Sequence, residues 1–530
     1  MIDWREHLII GPIILPMVVA AAMLLFDERR RILKSAMALA AMAAILAMAL
    51  VLLHDSATGA VGGGDTARVY QLGAWAAPYG IVLVADRLST LMVALTSVLG
   101  ACSLIFAIAR WDRAGPRFHA LFLLLVMGVN GAFLTGDLFN LFVFFEVMLA
   151  ASYGLVLHGS GDARIRAGLT YIAINLTASL MFLIGVSLIY GVTGTLNMAD
   201  LVERVRQMPA NDVGLLHTGA AILGVAFLVK CAMWPLGFWL TQTYSAASAP
   251  VASVFAILSK VGVYVIIRMS LLLFGAEAGV SAGFGQTWLF IGGLVTLLFG
   301  TAGVISSRHL PRAAGFAVMV SSGTVLSVLG LGGVSALGGA IYYLVGSTLA
   351  CSMLFLLAEI LERGREPDAG GARAVFDDEY HDPFEDDERN EPGRLIPAAV
   401  AMLGGAFLAC TLMVAGLPPL AGFIGKLAMI QALIGEGRLS DWVVVACLSL
   451  SSLGALIGLT RLGVSAIWAR PDDAPALVVG TAELAAITGL LGACILLAVF
   501  GESAMVFAQH TADWLARPDA YVSATLGAGR

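Results

Sequence analysis

The chain is short of charge. Only 12% of its 530 residues are Asp, Glu, Lys or Arg, whereas an ordinary soluble domain has about 25%. Its residues are 59% apolar and its mean hydropathy is +0.91, so the chain has too few polar residues to cover a water-facing surface. The apolar stretches run for about 20 residues and lack the two-residue alternation of outer-membrane strands. The sequence therefore predicts an all-α polytopic membrane protein.

Other absences exclude several kinds of site. The six cysteines all lie in apolar stretches and have no CxxC spacing, so they indicate no disulfide framework, zinc site or iron–sulfur cluster. There is no nucleophile triad, phosphate loop or metal-ligand cluster among the apolar stretches, so we expect no enzyme active site and no cofactor. The net charge of −6 predicts no nucleic-acid partner. The first apolar stretch follows MIDWREH rather than a basic segment, so we expect a retained span.

We place fourteen spans, two of which carry signals for a break. The twelfth is too long for one straight helix and has Gly416-Leu417-Pro418-Pro419 at its middle, and the seventh continues through Trp234-Pro235. Proline removes a backbone donor and clashes with the preceding turn, so both spans are predicted to be discontinuous. The spans are 8–26, 33–53, 88–109, 118–135, 138–158, 166–191, 213–235, 251–274, 286–306, 313–332, 337–362, 397–436, 441–468 and 479–507.

Basic residues are distributed unevenly between the two sets of alternate loops. Seventeen lysines and arginines lie in one set, and eight lie in the other set and the termini. Because basic loops stay in the cytoplasm, both termini are predicted on the outer, periplasmic side of a bacterial inner membrane. The one long polar connection, 363–395, is acidic, and we interpret it as a mobile cytoplasmic loop rather than a cation-attracting antenna.

Three of the four lysines lie inside apolar segments. Lys230, Lys260 and Lys426 are each in or beside a span, where a lysine near the centre costs about 2.5 to 3.5 kcal/mol. A lysine near a span end can avoid that cost by snorkelling to the headgroups, but Lys260 is about ten residues into its span. Lys230 and Lys426 sit beside the two helix breaks. We therefore predict a functional role for all three.

Glu146 is the one acid well inside a span, and it needs a partner there. We hypothesise that it pairs with Lys230, because separating or joining such an acid and base releases or captures a proton. His309 is a weaker candidate for the same path, near a span end. Tyr244 and Ser253 could hydrogen-bond to chains of water molecules, although hydroxyls also commonly form hydrogen bonds between membrane helices.

Three other charges are expected to lie at the membrane boundary. Glu359 and Glu483 are near span ends, where interfacial exposure is the simpler interpretation. Arg268 is near the outer end of the eighth span and is expected to snorkel.

The two broken spans share a local pattern. Lys230-Cys-Ala-Met-Trp-Pro-Leu-Gly-Phe238 resembles Pro418-Pro-Leu-Ala-Gly-Phe-Ile-Gly-Lys426, with the lysine on opposite sides of the Pro-Leu core. Paired interrupted helices are typical of inverted-repeat transporters. We predict two inverted five-helix repeats. The predicted units are an N-terminal three-helix segment 1–110, a first repeat 118–274, a second repeat 286–468 that includes the acidic loop, and a C-terminal helix and tail 479–530.

Several segments together resemble a known family. These are FNLFVFFEVMLAASYGLV, GVSLIYGVTGTLNMADL, LVKCAMWPLGFWL, SKVGVYVIIRM and AGLPPLAGFIGKLAMI. They resemble the antiporter-like subunits shared by respiratory complex I and the multisubunit cation/proton antiporters, the D-type subunit of the Mrp (Pha) antiporters in particular. LIYGVTGTLNMADL and the LLAEILERGREP stretch favour the antiporter branch.

The resemblance assigns roles to the charged residues. It implies that Glu146 and Lys230 form the coupled ion pair at the broken seventh helix. Lys260 would be the next relay on helix eight, and Lys426 the terminal relay on the broken twelfth helix.

The sequence departs from the family on helix eleven, where relatives commonly place a histidine or lysine. This chain has Gly346 and Ser347 in that region. Either water together with Ser347, Thr348, Tyr342 or Tyr343 bridges the gap, or the central relay runs differently.

The resemblance implies secondary transport without a redox cofactor. Proton entry would drive the expulsion of Na⁺ or K⁺ by a complex that also contains a larger homologous A-type subunit and small membrane subunits. One alternative is a proton-pumping membrane subunit of complex I or of a membrane-bound hydrogenase, which would use the same lysines. A non-transporting scaffold is a third alternative, and the cost of three intramembrane lysines argues against it.

Overall fold

The computed structural model of the chain describes residues 6–58, 67–363, 397–468 and 479–527. Apart from Arg363, the predicted acidic loop 363–395 lies outside the described residues. Within these ranges the chain forms nineteen α-helices and a single β-hairpin. The helices are α1 Gly11–Met23, α2 Arg31–Thr58, α3 Arg87–Ala109, α4 Phe118–Leu134, α5 Leu138–Val156, α6 Asp162–Thr193, α7 Met198–Arg206, α8 Val213–Lys230, α9 Phe238–Ala246, α10 Ala249–Leu272, α11 Gln286–Ser306, α12 Leu310–Gly330, α13 Ser335–Glu362, α14 Pro397–Ala415, α15 Ala421–Glu436, α16 Leu439–Gly463, α17 Thr481–Val499, α18 Gly501–Leu515 and α19 Pro518–Gly527.

The all-α membrane prediction is confirmed. In the described part of the chain, eleven helices are long and apolar enough to cross a membrane, and α1, α4 and Val400–Ala415 of α14 are shorter apolar helices. Every one of the fourteen predicted spans contains a helix, although the count of fourteen crossings itself stays a prediction. The hairpin pairs β1 Arg68–Gln71 with β2 Val82–Ala85 in antiparallel register.

Both predicted helix breaks are present. The seventh span ends as α8 at Lys230 and resumes as α9 at Phe238, and the twelfth ends as α14 at Ala415 and resumes as α15 at Ala421. Gly416 begins the second break with φ +72°, a left-handed conformation that glycine adopts without a steric penalty. The inverted relation of the two repeats stays a prediction.

The last predicted span differs from expectation. Instead of one helix over 479–507, the chain forms α17 and α18 with an interruption at Phe500. Gly501 follows the interruption and packs closely against α15, because a Cβ added there would lie 2.8 Å from Ile424 Cδ1. Close packing at this glycine therefore coincides with a helix interruption that hydropathy alone does not reveal.

Three helices occupy the centre of the molecule. Every residue in the apolar window of α10 is buried inside the chain, and 94% and 89% are buried in α12 and α13. For α2 and α17 the buried share is only 33% and 28%. Polar side chains on the three central helices are therefore surrounded by protein rather than by lipid.

A row of buried lysines

Lys230 lies at the end of the first half of the broken seventh span. Its Nζ atom is 4.9 Å from the centroid of the Phe145 ring, and the side chain is 4% exposed. The ammonium has no hydrogen-bond partner among the described residues. Its position at a helix C-terminus, where the helix dipole favours a cation, and over an aromatic face gives partial stabilisation.

Glu146 is close to Lys230 without touching it. The carboxylate acts electrostatically on Lys230, but it accepts its hydrogen bond from the Ser179 hydroxyl of α6. The hypothesised pair is therefore brought into one neighbourhood and does not form a direct salt bridge in this conformation. Ser179 was not anticipated from the sequence, since a lone serine in an apolar helix gives no distinctive signal.

Lys260 lies on α10 at the centre of the molecule and is 1% exposed. Its Nζ donates to the Ser322 hydroxyl of α12 at 3.0 Å and to the Val318 carbonyl at 3.4 Å. Cys231 and Cys351 are also close enough to interact electrostatically with it. Lys260 is therefore enclosed by protein, and that it lies too deep to snorkel stays a prediction.

Lys426 reaches back across the second break. From the second turn of α15, its Nζ donates to the Val414 and Ala415 carbonyls at 3.3 and 3.2 Å, and to the Ser452 hydroxyl at 2.9 Å. These carbonyls are the unsatisfied last acceptors of α14, which attract a cation. Each broken span therefore has a lysine beside its break, and Lys426 bonds the last carbonyls of the first half of its span.

Hydroxyl groups occupy the region between Lys260 and Lys426. Ser321 of α12 and Ser347 of α13 are hydrogen-bonded at 2.7 Å. About one turn away from this pair, Thr324 of α12 lies within hydrogen-bonding reach of Tyr343 of α13. The ring centroid of Tyr343 is 5.8 Å from Lys426 Nζ. Ser347 and Tyr343 thus lie on α13, the eleventh predicted span, in the region where the family resemblance led us to expect a titratable group.

The other two candidates on α13, Thr348 and Tyr342, bond to backbone carbonyls. Thr348 donates to the Leu344 carbonyl of its own helix, and Tyr342 donates to the Leu497 carbonyl of α17. The sequence did not predict the α12 serines that contact Lys260 and α13, which are Ser322 and Ser321. The run Ser321-Ser322-Gly323-Thr324 inside an apolar span was the available signal.

The two weaker candidates lie apart from this row. Tyr244 is buried on α9 and donates its hydroxyl to the Phe255 carbonyl at 2.9 Å, a tie between α9 and α10. His309 is exposed at the N-cap position of α12. Neither side chain hydrogen-bonds a lysine within the part of the chain that the structure describes.

Two of the charges expected at the membrane boundary are more buried than expected. Arg268 does not snorkel: it is 4% exposed and pairs with Asp86 at 2.5 Å. Glu483 is 1% exposed and pairs with Arg363 at 2.7 Å, and Arg363 also pairs with Glu359 at 2.8 Å. The expectations were wrong for Arg268 and Glu483, which ion pairs hold inside the protein, whereas Glu359 stays partly exposed with 12% of its side chain accessible.

Fold and site together define a class, helical membrane proteins with two broken spans and a row of buried lysines. The family model for "NADH:quinone oxidoreductase/Mrp antiporter, TM" matches residues 135–454, and the chain belongs to that family.

Similarity to individual proteins extends over the whole chain. A probable K⁺/H⁺ antiporter D-type subunit of Rhizobium meliloti (strain 1021) is 51% identical over 100% of this chain and 99% of its own length. A Na⁺/H⁺ antiporter D-type subunit of Alkalihalophilus pseudofirmus is 33% identical over 98% and 99%. A chain of the Mrp complex from Dietzia sp. DQ12-45-1b matches with a TM-score of 0.83 at 26% identity, covering 99% of this chain and 100% of that one.

Proposed function

We propose that this chain is the proton-translocating subunit of a multisubunit secondary antiporter that exchanges Na⁺ or K⁺ for H⁺. The observation that carries the proposal is the row of Lys230, Lys260 and Lys426, each buried and two of them at helix breaks. Three lysines inside a membrane helix bundle are expensive, and a scaffold gains nothing from that cost. The full-length similarity to D-type antiporter subunits supports the same function.

In the proposed mechanism, proton arrival at Glu146 removes the negative charge that stabilises the Lys230 ammonium. Lys230 then releases its proton toward the centre of the molecule, because a buried cation without a counter-charge is unfavourable. Lys260 receives it next to Ser322.

The second half of the relay leads to Lys426. The Ser321–Ser347 pair and Tyr343 lie along this part of the path. They take the place of a titratable group on α13, the eleventh span. The carbonyls at the end of α14 stabilise Lys426 while it is protonated.

The protein acts within an assembly in the bacterial inner membrane, with its termini on the periplasmic side. We expect a larger homologous A-type subunit and several small membrane subunits as partners, and much of the cation path lies in them. No redox cofactor takes part in the proposed exchange.

The test is cation-induced relief of a proton gradient in inverted vesicles, with the chain expressed together with its neighbouring genes. Lys230→Ala should abolish Na⁺- or K⁺-dependent exchange while the complex still assembles. Lys34→Ala is the matched control, because Lys34 binds Glu28 at 2.8 Å outside the lysine row and should not be needed for exchange.

Two results would contradict the proposal. Normal exchange in the Lys230→Ala complex would move proton transfer to a partner protein of the complex. Absence of exchange in the parent complex, together with co-purified iron–sulfur proteins, would favour the redox-driven alternative.

A further inference from the structure

A threonine on α11 bonds to the backbone of the break in the seventh span. We propose that this residue, Thr296, is a positioning residue that holds the break and the neighbouring Lys230 against the helix pair that binds Lys260. The inference rests on the proposed function, because it concerns proton transfer between those two lysines. It gives a role in the relay to a residue that lies in neither broken span.

The backbone N–H groups of the break find their acceptors in two places. Cys231, Ala232 and Met233 donate to carbonyls near the end of α8, at 2.9 to 3.1 Å. Trp234 is the next residue, and its N–H donates instead to the Thr296 hydroxyl at 2.9 Å. An N–H group inside a membrane has no water to bond, so it depends on an acceptor that the protein supplies. Thr296 supplies that acceptor from another helix.

The second break is built differently. Gly416 and Leu417 donate to the Leu412 carbonyl of α14, at 2.8 and 2.9 Å. The next two residues are Pro418 and Pro419, and proline has no N–H group. A bond to a side chain of another helix is therefore a particular feature of the first break and does not follow simply from interrupting a span.

The Thr296 hydroxyl is oriented to accept the bond from the break. It donates its own hydrogen to the Gly292 carbonyl of α11 at 2.6 Å, which leaves its oxygen to accept from Trp234. The side chain is completely buried. Gly292 packs against the break as well, since a Cβ added there would lie 2.7 Å from Met233 Sδ. The break therefore packs on one turn of α11.

This turn of α11 is packed closely against α12. A Cβ added to Gly323 of α12 would lie 2.5 Å from the Leu297 backbone nitrogen of α11. Backbones in such close contact leave little room for one helix to move without the other. Leu297 directly follows Thr296, and Gly323 directly follows Ser322. The hydroxyl that holds the break and the hydroxyl that holds Lys260 are therefore adjacent to the same interhelical contact.

The bond consequently positions Lys230 relative to both of its neighbours in the relay. Lys230 ends α8, four residues before Trp234, and Ser322 accepts from Lys260 at 3.0 Å. With the break fixed on α11 and Lys260 fixed on α12, the separation of the two lysines is set by one helix pair. Proton transfer depends steeply on such separations. The same bond also sets how near Lys230 comes to Glu146.

The test compares Thr296→Val with Thr296→Ser in the intact complex. Thr296→Val keeps the shape of the side chain and removes the acceptor, so exchange in inverted vesicles should slow about tenfold. The pH of half-maximal exchange should also shift by about half a unit or more, because the distance between Lys230 and Glu146 influences how firmly the lysine holds its proton. Thr296→Ser keeps the hydroxyl and should restore most of the rate and the parental pH profile.

Thr301→Val is the matched control. Thr301 lies on the same helix, is 4% exposed and, within the described ranges, donates only to the Leu297 carbonyl of its own helix at 2.7 Å. This variant makes the same chemical change away from the break, so its rate and pH profile should match those of the parent. If the Thr296→Val complex does not assemble, Thr296→Cys takes its place, because a thiol is a weaker acceptor of similar size.

Three results would overturn the inference and leave the proposed function standing. The first is a parental rate in the assembled Thr296→Val or Thr296→Cys complex. The second is a lower rate with an unchanged pH profile, which would show a role in stability alone. The third is an equal loss in Thr296→Val and Thr296→Ser, which would show that packing decides the effect. A parent complex without exchange would instead overturn the proposed function.

Discussion

At the scale of single residues, the buried charges of this chain fall into two kinds. Arg268 and Asp86 form a close ion pair in which Arg268 also donates to the Tyr264 hydroxyl at 2.8 Å. Lys230 and Lys260 have no acid in direct contact among the described residues. A paired charge is fixed in place, while a lysine without an acidic partner gains less from staying charged. Lysines without an acidic partner are therefore suited to proton transfer, and paired charges are suited to holding helices together.

The Arg268–Asp86 pair yields a stability prediction. Arg268→Gln leaves a buried carboxylate without its counter-charge, a change that costs about 3 to 5 kcal/mol. We expect a clear fall in the thermal unfolding midpoint of the purified complex, followed by intrinsic fluorescence. Arg308→Gln, at an exposed position in the loop before α12, should leave the midpoint unchanged. Equal midpoints for Arg268→Gln and the parent would show that the pair does not stabilise the fold.

At the scale of helices, the second break depends on one glycine. Gly416 has φ +72°, and a Cβ there would lie 2.4 Å from Lys426 Cδ. Gly416→Ala therefore imposes a backbone penalty of about 1 to 3 kcal/mol and displaces the Lys426 side chain from the α14 carbonyls. We expect exchange in vesicles to fall severalfold.

Gly404→Ala is the control for this helix. Gly404 also lies on α14, but nothing lies within 4 Å of its added Cβ, and alanine favours a helix. Its exchange rate should match that of the parent. If Gly416→Ala exchanged at the parental rate, the position of Lys426 at the end of α14 would not matter for transport.

At the scale of the whole molecule, the sequence predicts the positions and breaks of the helices better than it predicts which helices contact one another. Proline and glycine at 234–235 and 416–419 act locally, so both breaks could be predicted. The three intramembrane lysines stand out for the same reason. Ser179, Ser321 and Ser322 contact Glu146, Ser347 and Lys260 on other helices, and no local pattern separates them from ordinary helix contacts. Burial of Arg268 likewise depends on which helices pack over α10.

The molecule-wide prediction concerns whether the lysines act as one relay. If Lys230 and Lys426 belong to the same path, replacing either with alanine interrupts the whole path, and the second replacement removes nothing further. The double variant should then exchange no more slowly than either single variant, the non-additivity expected of groups that act as a unit. Rates in vesicles for the parent, Lys230→Ala, Lys426→Ala and the double variant measure this directly. If each single variant kept part of the exchange, the two remaining rates together equalled the parental rate and the double variant exchanged nothing, two independent paths would cross the protein.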